Sequence, residues 1–202
     1  MSKNFFAAVM IGAALATGTP SVSAAMVEPV GEKTFLYMNT LEVWLTEDMS
    51  AVNLRNGSLC LMDRNGNREM TIKNIDDTKD GVGFAVRELR VPGADGVRFW
   101  EILADVGAHA KNCGYWVIAE ENGAWSLRLT TEDLAAAGYT PQEWHHLNSG
   151  STGGEYILTS AHEYMPPGAQ FGYEMRLVED WKAKLVWDGE TRTFVLLPLP
   201  LG

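Results

Sequence analysis

Three of the four histidines fall within one stretch of this chain. His145 and His146 follow Trp144, and His162 precedes Glu163. Together they offer four donors, enough for a zinc ion if they converge. The spacing argues against it: there is no HExxH or HxH, and neighbouring histidines on a helix point about 100° apart. The fourth, His109, lies in a loop ahead of Cys113. The plain reading sets these rings at a loop rim, and a hydrolase using His145, His146 and His162 stands as an alternative.

Other chemistries find thinner support. No GxSxG elbow and no SxxK occur. Ser149, Ser151 and Thr152 sit close to the histidines in sequence, but a serine–histidine pair is made by geometry. The same Gly-Ser run lacks the lysine and the strand–loop–helix setting of a phosphate loop. Asp63 to Glu69 (DRNGNRE) alternates oxygen donors around a glycine, as calcium loops do. Two arginines and the missing distant glutamate oppose that, and a hairpin turn explains the run. The paired acids Glu120-Glu121, Glu132-Asp133 and Glu179-Asp180 are chain neighbours, whereas glycosidases draw opposed carboxylates from separate elements. No cofactor and no metal are expected.

Seven tryptophans are many for 202 residues. Trp100, Trp116 and Trp125 lie within strand-like runs and read as core. Trp144 and Trp181 border loops and are candidates for stacking on a sugar or anchoring an interface. Tyr164 and Phe171, around Pro166-Pro167-Gly168, extend that apolar surface. The candidate binding set is thus Trp144, His145, His146, His162, Tyr164, Phe171 and Trp181.

The first 24 residues have the form of a secretory signal. Lys3 is followed by an uncharged apolar run, Phe5 to Ala16, and Val22-Ser23-Ala24 gives small residues for a peptidase. The run falls short of the roughly 20 residues that span a bilayer. Residues 1–24 are therefore expected to be removed, leaving 25–202 as one exported domain, periplasmic or extracellular, with no membrane span. Export predicts a disulfide between the only two cysteines, Cys60 and Cys113. It would close a loop of about 50 residues and contribute roughly 4 kcal/mol in the chain-entropy model. The formal charge is −10, and losing Lys3 makes it more negative. Such a chain suits neither nucleic acid nor anionic lipid.

The elements that must position these residues are mostly strands. Val97 to Leu129 reads as a three-strand meander with its second turn at Asn122-Gly123. Hairpins are expected at Asp63 to Asn67 and at Asp188-Gly189. Val27 to Glu32 reads as a leader loop, Asn148 to Gly154 as a flexible loop, and Glu163 to Gly172 as another. Two short helices are expected, one from Thr131 to Gly138 and one capped by Thr140 with Pro141 and Glu143. The sum is a mainly β, single-domain antiparallel sandwich or open barrel with two short helices between strands. The leading functional expectation is a non-catalytic exported binding protein with a protein partner, of inhibitor, immunity or envelope accessory type. A carbohydrate-binding module is the second alternative, with Trp144 or Trp181 as the platform.

Overall fold

A computed structural model of the chain describes residues 24–36, 40–54, 58–73, 83–105, 114–140, 145–168 and 175–202. These form fourteen strands and one helix. The strands are β1 (Ala24–Met26), β2 (Glu28–Leu36), β3 (Glu42–Trp44), β4 (Met49–Asn53), β5 (Leu59–Asp63), β6 (Arg68–Lys73) and β7 (Gly83–Arg90). Then come β8 (Val97–Asp105), β9 (Gly114–Glu121), β10 (Ala124–Leu129), the helix α1 (Thr131–Ala136), β11 (His145–Thr152), β12 (Glu155–Tyr164), β13 (Arg176–Asp188) and β14 (Thr193–Pro198).

Three antiparallel sheets result. The middle one runs β10-β9-β8-β7-β2. A second is built from β1, β11, β12, β13 and β14, and a third runs β3-β4-β5-β6. The middle sheet is apolar on both sides, which explains the unbroken hydrophobic run of β9. Successive side chains on a strand face opposite ways. Tyr115, Val117 and Ala119 therefore join Phe99, Leu103, Tyr156, Leu158 and Trp187 in one core. Trp116 and Ile118 join Trp100, Ile102, Ala51, Leu59 and Leu61 in another. The expected sandwich is thus an arrangement with two cores and the meander shared between them.

Local chemistry explains the turns. Asn122 and Gly123 both have positive φ, 53° and 82°, the conformation that a primed two-residue hairpin turn needs. Between β5 and β6, Asp63 Oδ1 accepts the backbone N–H groups of Asn65 and Asn67 at 2.8 and 2.7 Å. Its carboxylate thus serves the turn. At α1, Asp133 Oδ2 accepts from the Thr130 backbone N–H at 2.7 Å and from its hydroxyl at 3.0 Å. Gly138, at φ +92°, ends that helix.

Several expectations need correction. Val27 to Glu32 is mostly strand, because β2 pairs with β7 along an edge where Pro29 needs no ladder partner on its outer side. Asn148 to Gly154 is no loop: β11 runs through Thr152 and pairs residue by residue with β12, leaving Gly153 and Gly154 as the turn. Glu163 and Tyr164 extend β12, and β13 runs unbroken from Arg176 to Asp188 beside it. One helix, not two, is present among the described residues. Residues 141–144, where the second would begin, lie outside them, and His145 already belongs to a strand. The expected disulfide is not formed in this structure. Cys60 is a free, fully buried thiol whose Sγ lies 3.8 Å from Thr71 Oγ1, and Cys113 lies outside the described residues.

Candidate functional site

The β11–β12–β13 ribbon gathers most of the candidate residues. His145 stands opposite His162 and His146 opposite Ala161. Because β11 is a strand, successive positions along it alternate between the two faces, so these two neighbours do not share one helical turn. His146 Nε2 lies 2.9 Å from Glu163 Oε1, across the strand pair on the face away from the core. On the other face His162 Nδ1 lies 3.1 Å from Asp180 Oδ2. Asp180 reaches it because pairing slips there: Ser160 faces Trp181, Ala161 faces Glu179, and Asp180 is the extra residue of a β-bulge. The ribbon therefore carries two separate histidine–carboxylate pairs, back to back. Among the described residues there is no group of three or more His, Cys, Asp or Glu side chains able to hold a metal ion.

The aromatic candidates divide as well. Trp181 is 8% exposed. Its Nε1 donates to Ala137 O at 3.0 Å, and its ring lies 5.4 Å from that of Tyr139. It ties the end of α1 to the sheet and presents no face for stacking. Tyr164 is exposed, with Met165 beside it and Leu177 and Val178 on the adjoining strand. Trp144 and Phe171, like His109, lie outside the described residues, as do residues 169–174. By register, Tyr164 shares a face with His162 and Val178, and Leu177 shares the other with Glu163. Apolar side chains are thus offered on both faces of the ribbon's end.

A third group sits deep between the middle sheet and the ribbon. Glu101 is 1% exposed. Arg87 Nε donates to its Oε1 at 2.8 Å, and the Tyr115 hydroxyl donates to its Oε2 at 2.9 Å. Arg87 Nη2 also donates to the Tyr156 hydroxyl and, at 3.4 Å, to Ser149 O. Burial, then the Glu101 charge, pushes the Tyr115 hydroxyl well above its ordinary range and raises Tyr156 in the same way. Both phenols stay protonated and act as donors or neutral partners. Burial, the largest single influence, would lower Arg87, but Glu101 and Tyr156 together outweigh it and the net movement is upward. The geometry is that of a hydrogen-bonded buried ion pair tying two sheets together, with both Glu101 oxygens engaged.

The fourth feature went unremarked in the sequence. Trp44 on β3 is 51% exposed and lines an open surface depression of about 520 Å³ with Thr46, Glu47 and Arg64. The alternation Leu41, Val43, Leu45 against Glu42 and Trp44 was the available signal: it puts Trp44 on the polar face.

Comparisons with family models, characterised proteins and solved structures return no match. Function must therefore be argued from these four features alone.

Proposed function

We propose that the chain is an exported, non-catalytic binding protein that engages a protein partner through the open end of the β12–β13 ribbon. The observation that carries this is the exposure of Tyr164, Met165, Leu177 and Val178, at 45, 48, 64 and 41%, where β12 and β13 last pair. Exposed apolar side chains of this size on both faces of one strand end favour a partner that covers them. Carboxylates of Glu163, Glu179 and Asp180 stand among them, and the chain carries a formal charge of −10. The partner that fits is a protein with an apolar pocket rimmed by lysine and arginine, whose on-rate falls with salt. Export rests on the leader, 1–24. Its removal takes the Ala24↔Asp188 pair and leaves Ala25↔Trp187 and Met26↔Val186.

The test compares residues 25–202 with a Leu177→Glu, Val178→Glu double variant as baits for envelope and culture extracts. A protein captured by the parent and lost with the variant, at equal melting temperature, supports the reading. Capture that ignores the substitutions, or no capture by the parent, refutes it. Sequencing the N-terminus of protein made in its own cell checks the leader independently.

A further inference from the structure

We infer that the depression beside Trp44 is a second, separate site that binds a neutral oligosaccharide by stacking one ring on the indole and bridging its hydroxyls with Arg64, Glu47 and Asp48. Two neighbouring turns build the site. In the β3–β4 turn, Leu45 N donates to Met49 O at 2.9 Å, and Thr46 Oγ1 accepts from the backbone N–H groups of Asp48 and Met49 at 3.2 and 3.1 Å. The β5–β6 turn is held by Asp63, as described above. Met49 pairs with Asp63, so the turns lie side by side. Arg64 crosses between them. Its Nε donates to Glu47 O and lies 3.1 Å from Asp48 Oδ1. The guanidinium is thus positioned through one of its five N–H groups, and the four on its Nη atoms remain for a ligand.

The lining then selects the ligand class. Trp44 is exposed on an edge strand whose other side chains do not need it for packing: it belongs to neither core. A flat indole face suits the apolar C–H face of a pyranose ring. Around it stand a forked donor, Arg64, and the Glu47 carboxylate, with the Asp48 carboxylate 3.1 Å from Arg64 Nε. Forked donors and acceptors match vicinal diols, which can give and take hydrogen bonds at once. A simple anion meets Glu47 and Asp48, a simple cation meets Arg64, and a purely apolar ligand leaves all three without use. The volume, about 520 Å³, falls inside the range of about 300–1,000 Å³ common for small-molecule sites. Openness to solvent suits a chain of sugars passing across the surface more than a single enclosed one.

The experiment titrates the purified chain with cellohexaose, maltohexaose and chitohexaose, and with heparin as the charged comparison, following tryptophan fluorescence and heat. At least one of the three neutral hexaoses binds. Trp44→Ala weakens that binding by at least about tenfold, Trp44→Phe restores part of it, and Arg64→Ala weakens it by about threefold or more. Melting temperature stays unchanged in the Trp44 variants, and Leu177→Glu leaves the affinity alone, which separates this site from the ribbon. Three results overturn the proposal: no binding of any of the three up to about 10 mM, binding indifferent to Trp44→Ala, or binding of heparin alone.

Discussion

Replacing Glu101 with leucine should expose the cost of the buried ion pair. Glu101 is 1% exposed and the Arg87 side chain 11%, so the pair has little water to fall back on. Leucine fills much of the volume but leaves the guanidinium without a counter-charge and takes the acceptor from the Tyr115 hydroxyl. Removing one member of a buried pair typically costs about 3–5 kcal/mol. Arg87 keeps Tyr156 and Ser149 O as partners, which places the expectation near 3–4 kcal/mol within that range. For a domain of this size each kcal/mol moves the melting temperature by about 2–4 °C, so the loss is roughly 6–16 °C. Urea unfolding followed by tryptophan emission reads it directly, because Trp100 on the same strand and Trp116 on the adjoining β9 are buried. The Arg87→Met, Glu101→Leu double variant removes both charges and should recover at least about 1 kcal/mol relative to the sum of the single variants. The reasoning fails if Glu101→Leu stays within about 1 kcal/mol of the parent at unchanged m-value, or if the two substitutions simply add.

Other expectations follow from single contacts. A Cβ at Gly114 would lie 2.3 Å from Trp116 Cη2 and 2.8 Å from Thr131 Oγ1, so Gly114→Ala should cost at least about 2 kcal/mol by overpacking. Gly150→Ala in β11 meets nothing within 4 Å and should cost nothing, which makes it the control in the same urea series. The Cys60 thiol should resist iodoacetamide in the native protein and react once urea unfolds it; alkylation of Cys60 within minutes under native conditions contradicts its burial. Asp63 and Asp188 titrate below the ordinary value of 3.8, chiefly through the side-chain hydrogen bonds of Asn67 and Thr191 respectively. A depressed carboxyl contributes stability that is complete above its unfolded pKa and fades as pH falls through the folded one. Asp63→Asn should therefore lower the melting temperature at about pH 6, with the gap to the parent closing toward about pH 2; a gap that widens on acidification would contradict the turn geometry.

How far the sequence speaks for the fold depends on how local the deciding force is. The Asn122-Gly123 turn, the Thr130–Asp133 cap and the Asp188 hairpin are set within a few residues, and each is visible as residue type and spacing. β11 was not visible. His-His-Leu-Asn-Ser-Gly-Ser-Thr has weak strand propensity and turn-like composition, and it becomes a strand because β12 offers an edge and Leu147 enters the core. Propensity in sheets is mostly a statement about neighbours, and the neighbour here is supplied by the fold. The bulge at Asp180 has the same origin: nothing in the run Glu179-Asp180-Trp181 marks which residue will be extra.

The candidate site shows the same division, with a consequence for reading histidines. Whether His145 and His146 can meet depends on the period of the element beneath them. A helix would set them about 100° apart, a strand sends them to opposite sides of a sheet. Reading the element wrongly therefore changes which donors share a face, even when every candidate residue is correctly named. Trp44 and Trp181 make the point with burial. Trp181 sits beside a turn-rich stretch but falls where α1 closes on the sheet, so it is buried and hydrogen-bonded to Ala137. Trp44 sits inside a strand, but on the outer face of an edge strand, so it stays in water. Position along the chain, loop or strand, decides neither case. Which face a residue occupies, and whether another layer covers that face, decides both. The middle sheet is covered twice and can spare no tryptophan for a ligand. The β3 edge is covered once, and its outer face is where a stacking residue remains available.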